Sequence, residues 1–146
     1  MNDAETVAWL RDRALITDLL FQFAEALDAK DWERYAGLYT DDGVLELPWG
    51  EVVSKDRLVQ STSHNLGRFE STHHMSTNQR VFPAGDTATS SSYLQATHVY
   101  PADQHRENWV AGARYDCTYR LVDGTWKFVR VRLTSFWQTG EPPQLG

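Results

Sequence analysis

Histidine is the side chain whose charge changes near neutral pH, and this chain holds five of them. His73 and His74 are adjacent, so on a strand they point to opposite faces and do not readily share one metal ion. No H-E-x-x-H or comparable helical pair is present, and His64 and His105 lie in polar, loop-like stretches that mark them as surface residues. No metal site is expected. By alternation His74 shares a strand face with Ser76, Asn78, Arg80 and Phe82, while His73 shares the other with Met75, Thr77 and Val81. Alone, His74 reads as a core histidine; proton-transfer chemistry would require a partner. Asp28 is the acid that stands out, because it closes a helix, where a carboxylate gains nothing from the helix dipole. Capping the next helix would account for it, a role that Asp31 can fill as well.

The elements that must position these residues follow from periodicity. Ile16, Leu20, Phe23 and Leu27 step by one helical face, predicting a first helix from an Asp3 N-cap to near Asp28. A second helix from Asp31 carries Trp32, Tyr35 and Tyr39 and ends in a turn over Thr40 to Gly43. Val44 to Trp49 alternates as a strand cut by Pro48, and Ser54 suits the cap of a third helix running to about Gly67. From Ser71 the period becomes two, predicting long strands over 72–83, 87–100, 108–122 and 125–137. Asp123-Gly124 is a two-residue hairpin signal between the last two. Helices first and antiparallel strands afterwards is an α+β arrangement, with the sheet curling around the helices to close a pocket. A single domain over 1–139 and a flexible tail over 140–146 are expected.

The hairpin sets faces. Opposed residues flanking a two-residue turn place Tyr119 against Phe128, Cys117 against Arg130 and Tyr115 against Arg132. That face would begin apolar and turn polar along the strands, giving a cavity with a charged region. A one-residue slip in register would reverse the assignment.

Composition bounds the function. The chain has 146 residues with Lys+Arg 14 against Asp+Glu 20, a formal charge of −6. That balance argues against a polyanion binder driven by net charge, so no nucleic acid is expected. One cysteine, Cys117, excludes an internal disulfide and is read as packing. No apolar run reaches membrane-spanning length and the N-terminus lacks the basic start and apolar core of a signal peptide, so a cytoplasmic protein off the membrane is expected. Aromatic residues make up 12%, enough to line a ligand cavity as well as fill a core.

Three segments carry a family resemblance: Leu27 to Arg34 (LDAKDWER), His73 to Asn78 (HHMSTN) and Gly124 to Arg132 (GTWKFVRVR). Together they resemble the SnoaL-like branch of the NTF2-like superfamily, over about Leu10 to Trp137. Enzymes of this kind include scytalone dehydratase, a bile-acid dehydratase and the lindane dehydrochlorinase. The resemblance implies a cone, in which a strongly curved antiparallel sheet wraps N-terminal helices around a deep apolar pocket. It puts Asp28 and His74 where the family has a catalytic Asp–His pair, Arg132 where the dehydrochlorinase has an arginine on its last strand, and His98 near a second pocket histidine. It also shows departures. The dehydratase tyrosines correspond to Leu27 and to a position near Leu47, and the dehydrochlorinase lysine to Phe23.

What the resemblance implies is a cofactor-independent lyase of dehydratase type, acting on a small hydrophobic oxygenated substrate. Proton abstraction next to a carbonyl or leaving group by the pair, with arginine help, would be its first step. A cyclase or isomerase would share that step, and a non-catalytic ligand-binding or dioxygenase β-subunit-like protein would share the fold. Phe23, Leu27, Trp49 and His98 are expected to contact substrate, with Tyr39, Asn78 and Tyr115 available to hold its oxygen. Assembly as a homodimer or homotrimer is expected through the outer sheet face, with Arg114, Val110 and Trp137 as contributors.

Overall fold

A computed structural model describes residues 1–144 of the chain. Helix α1 (Asp3–Asp28) opens at Asn2, one residue before the expected cap, because Asn2 and Glu5 form a reciprocal capping box. Its buried face is Ile16, Leu19, Leu20, Phe23, Ala26 and Leu27. Lys30, at φ 55°, reverses the chain, and the Asp31 side chain caps α2 (Trp32–Gly37) by accepting from the Arg34 N–H at 3.2 Å. The capping role is therefore filled without Asp28.

Strand β1 (Tyr39–Glu46) begins earlier than periodicity suggests, so Tyr39 belongs to a strand and not to the second helix. The Thr40–Gly43 stretch is an irregularity inside that strand, between the pairs Tyr39–Phe128 and Val44–Arg130. Only glycine fits its tightest point, since a Cβ at Gly43 would stand 2.9 Å from the Thr40 carbonyl and 3.2 Å from that of Phe128. After a turn at Pro48 to Gly50, β2 (Val52–Ser54) pairs back on β1, and a short 3₁₀ turn (Lys55–Arg57) leads into α3 (Leu58–Leu66). The Ser54 hydroxyl bonds Asp56 rather than capping a backbone N–H.

Four long strands follow: β3 (Ser71–Ala84), β4 (Thr87–Val99), β5 (Trp109–Val122) and β6 (Thr125–Thr139). The six form one sheet in the order β2-β1-β6-β5-β4-β3, antiparallel except where β1 lies parallel to β6. The sheet is curved and unclosed, and the buried face of α1 packs into one core with its concave side. Phe23 is at the centre, its ring 5.0 Å from Tyr35 and 5.3 Å from both Tyr115 and Phe128. This is the expected α+β cone.

Bulges bend the long strands and decide which side chains face inward. On β6 the register moves from Tyr119–Phe128 to Thr118–Arg130, leaving Val129 as the extra residue. Beyond it Cys117 faces Val131 and Tyr115 faces Leu133. The expected pairs of Cys117 with Arg130 and Tyr115 with Arg132 are thus replaced, and both arginines turn to the outer face. On β3, Asn78 (φ 55°) and Gln79 fall between Thr77–Tyr93 and Arg80–Ser91. The inward face consequently passes from His74 to Val81, while Phe82 is exposed.

At the end of β6, Gly140 (φ 83°) turns the chain where any Cβ would strike the Asn108 carbonyl. The stretch read as a flexible tail then makes definite contacts: Tyr100 Oη donates to the Glu141 carbonyl at 2.7 Å, and Arg106 meets the Glu141 carboxylate at 3.2 Å. Its last two residues, 145 and 146, lie outside those described. Among the described residues no helix is long and apolar enough to cross a membrane.

Candidate active site

The end of α1, the start of β3, the second half of β4 and the first half of β5 meet around one cavity of about 490 Å³. Its walls are mainly apolar, with Phe23 and Leu27 from α1, Leu47 and Trp49 from the turn after β1, and Leu94, Ala96, Ala113 and Leu133 from the sheet. Polar atoms reach it at few places.

His74 is the first of them. Its ring lines the cavity, and its Nδ1 lies 2.6 Å from Asp28 Oδ1. The same carboxylate accepts the His74 backbone N–H at 3.0 Å and the Thr72 hydroxyl at 2.9 Å. Partial burial alone would raise the Asp28 carboxyl. The bonds from the His74 ring and backbone, its charge and Thr72 outweigh that and hold it below the ordinary carboxylate value. An ionised carboxylate only accepts, so Nδ1 carries the hydrogen, and in the neutral form of the ring Nε2 is the nitrogen with the lone pair. No protein partner for Nε2 occurs among the described residues.

His98 is the second. It stands opposite Trp109 across the β4–β5 ladder, its ring stacked on that indole at 4.2 Å and 5.9 Å from the His74 ring. Its Nδ1 is 2.9 Å from the Trp109 carbonyl oxygen, an obligatory acceptor, which again leaves Nε2 as the acceptor nitrogen. Burial, assisted by the nearby His74 and opposed by the carbonyl bond, lowers His98 to about 4, so it is neutral at physiological pH. The cavity therefore holds two imidazoles in the same tautomer.

The hydroxyls differ in their freedom. Tyr35 Oη is 2.9 Å from Tyr39 Oη. Tyr115 is buried and lines the cavity, yet its hydroxyl makes no hydrogen bond among the described residues. Burial, with nearby Tyr35, Cys117 and Asp28, raises its phenol well above the usual value and keeps the O–H as a donor.

Of the residues expected at the site, Asp28, His74, His98, Tyr115, Phe23, Leu27 and Trp49 converge. Three do not. Arg132 lies on the outer face, 52% exposed, with its Nε 2.7 Å from Glu46. The Val129 bulge put it there. Asn78 sits in the β3 bulge on the outer surface, and Tyr39 is wholly enclosed in the core against Phe128. Trp109, Tyr35 and Arg68 line the cavity without having been anticipated. Trp109 alternates in phase with Ala111, Ala113 and Tyr115, a signal present in the sequence; Arg68, just after α3, has none. His64, His73 and His105 are exposed, and Cys117 is buried with its thiol raised to about 12, chiefly by burial. No group of three or more potential metal ligands occurs among the described residues.

Among solved structures, a candidate scytalone dehydratase from Novosphingobium aromaticivorans superposes with a TM-score of 0.85 at 23% identity, over 92% of this chain and 91% of that one. A protein from Kribbella flavida gives 0.81 at 25% identity, over 94% and 95%. A type 3 hexachlorocyclohexane dehydrochlorinase from Novosphingobium barchaimii gives 0.77 at 21%, over 90% and 91%. No curated protein sequence matches the chain. The SnoaL-like domain matches residues 8–132, most of the chain, and this chain belongs to the SnoaL-like family of the NTF2-like superfamily.

Proposed function

We propose that the chain is a cofactor-independent lyase in which His74 Nε2 removes a proton from a carbon next to a carbonyl. The observation that carries the reading is the 2.6 Å bond from His74 Nδ1 to Asp28 beside an apolar cavity. The carboxylate fixes the ring's tautomer and stabilises the imidazolium that forms. Tyr115 Oη donates to the carbonyl oxygen as negative charge develops there, beside mainly apolar walls that strengthen the bond. Neutral His98 accepts from a substrate hydroxyl, which favours a hydroxylated substrate. In a dehydration the imidazolium returns its proton to the departing hydroxyl, so water leaves and a double bond remains. The comparisons support this reading at the level of family chemistry, since dehydratase and dehydrochlorinase structures share the fold.

Isomerisation or ring closure would start with the same proton removal and differ in where the proton or the carbanion goes next. The test is incubation of bicyclic β-hydroxy ketones in deuterated buffer, followed by enone absorbance and by deuterium at the α-carbon. Elimination is expected with wild type and not with His74→Ala. Deuterium uptake without enone would transfer the reading to an isomerase or cyclase. Neither signal, or full activity in His74→Ala, would remove it.

A further inference from the structure

The cavity carries one charge that the chemistry above does not use. Arg68 follows the Gly67 that ends α3, and its half-buried side chain is the one lysine or arginine among the lining residues. Its protein partners are neutral. One Nη donates to the Gln144 carbonyl at 3.0 Å and the other to the His64 carbonyl at 3.5 Å. A guanidinium has five N–H groups in a planar fork, and the rest of this one has no acceptor among the described residues. On the outer face Arg114, Arg130 and Arg132 each meet a carboxylate. In a chain of net charge −6, a guanidinium that meets only carbonyls among the described residues, beside an apolar wall, is suited to an anion supplied from outside. Capping α3 accounts for the long contact to His64 but not for the side chain's place at the cavity.

We propose that Arg68 is an anion-binding residue and that the substrate is a hydrophobic carboxylate. This rests on the cavity being the site of the His74 chemistry. The apolar body lies along Leu66 and Trp109, the reacting carbon at His74, and the carboxylate takes the open N–H groups of Arg68. The Gln144 carbonyl stays on its own N–H, so Pro142 and Pro143, which also line the cavity, flank the bound carboxylate.

Calorimetric titration of the full chain with 1-naphthylacetate and with its neutral isostere 1-naphthylacetamide tests this. Wild type is expected to bind the acid about tenfold or more tightly than the amide, as a charge-assisted fork contact predicts. Arg68→Gln should bind the two alike, and Arg68→Lys should keep part of the preference, since the charge remains and the fork is lost. Melting curves of both variants establish that they fold. His74→Asn should retain the full preference, which separates this proposal from the lyase reading. A preference without any deuterium exchange would sink the lyase and leave the anion site. Equal affinity for acid and amide in wild type, binding of neither, or a preference that survives Arg68→Gln would overturn the anion site, whatever the exchange assay shows.

Discussion

Asp28 holds His74 twice, by the ring Nδ1 at 2.6 Å and by the backbone N–H at 3.0 Å. One carboxylate at the end of α1 thus sets both the strand that delivers the imidazole and the rotation of the imidazole itself. The helix dipole gives nothing to an acid at that end, and Asp31 already caps α2, so the carboxylate's partners are on β3. This coupling makes position 28 sensitive in two separable ways.

His74→Ala is expected to leave the melting temperature near wild type while lowering kcat by about 10²- to 10⁴-fold, the usual contribution of a positioned general base. Asp28→Asn should cost less in kcat, because an amide oxygen can still accept from Nδ1. Asp28→Ala should in addition destabilise the fold by about 1–3 kcal/mol, since the Thr72 hydroxyl and a β3 N–H lose their acceptor. Parallel kinetics and urea melts separate these effects. Unfolding of His74→Ala would return the histidine to a purely structural role.

Acid should weaken the protein in two stages. His98 is lowered from 6.5 to about 4, chiefly by burial, so the folded state keeps it neutral while the unfolded chain takes up a proton. The unfolded state then binds more protons, and stability falls as the pH drops from about 6.5 towards 4, by about 3 kcal/mol near the lower end. Asp28, lowered because the His74 and Thr72 bonds outweigh its burial, adds stability above its ordinary 3.8 that is lost as the pH falls further, through its folded value. Urea midpoints at a series of pH values should show the first decline in wild type and not in His98→Gln. A flat profile between pH 6.5 and 4 would contradict the burial of a neutral His98.

Periodicity reveals the long strands, the first helix and the Asp123-Gly124 turn because each is a local pattern of burial. Asp28 and His74 were legible for a related reason: an acid at the wrong end of a helix, and a histidine on an alternating strand, together with the resemblance. What stayed hidden depends on bulges. Val129 and the pair Asn78-Gln79 each interrupt the register of one strand, and the side chains that follow change face, on β6 as far as a second shift between Ser135 and Trp137. No residue type in either stretch demands a bulge, as Asn78 is merely tolerant of its φ of 55°. Tyr39 was misplaced for another cause, because Gly43 reads as a turn in sequence and serves as a tight approach inside β1.

Arg132 supplies a test of that face reversal. Glu46 bridges it and Arg130, at 2.7 and 2.6 Å, on the outer surface. Arg132→Lys and Arg132→Ala should therefore both leave kcat/KM within about twofold of wild type, since an exposed ion pair contributes little and the cavity lies on the other side of the sheet. A large loss of turnover in either variant, with an unchanged melting curve, would mean that β6 lacks the Val129 bulge.

Tyr115 is the residue for which stability and activity should part most clearly. Its ring packs edge-on to Phe23 at 5.3 Å and is part of the core, whereas its hydroxyl meets no protein acceptor among the described residues. Tyr115→Phe keeps the ring and removes only a polar atom without a partner, so stability should stay within about 0.5 kcal/mol of wild type or rise slightly. If the hydroxyl donates to an oxygen that gains negative charge in the transition state, kcat should fall by about 10²-fold, with KM changing far less. Replacing Tyr39 by Phe is the control, because that hydroxyl serves Tyr35 inside the core, where its loss should lower stability by about 1 kcal/mol and spare turnover. Equal effects of the two substitutions on kcat would leave Tyr115 as packing and require the developing charge to be met by another donor.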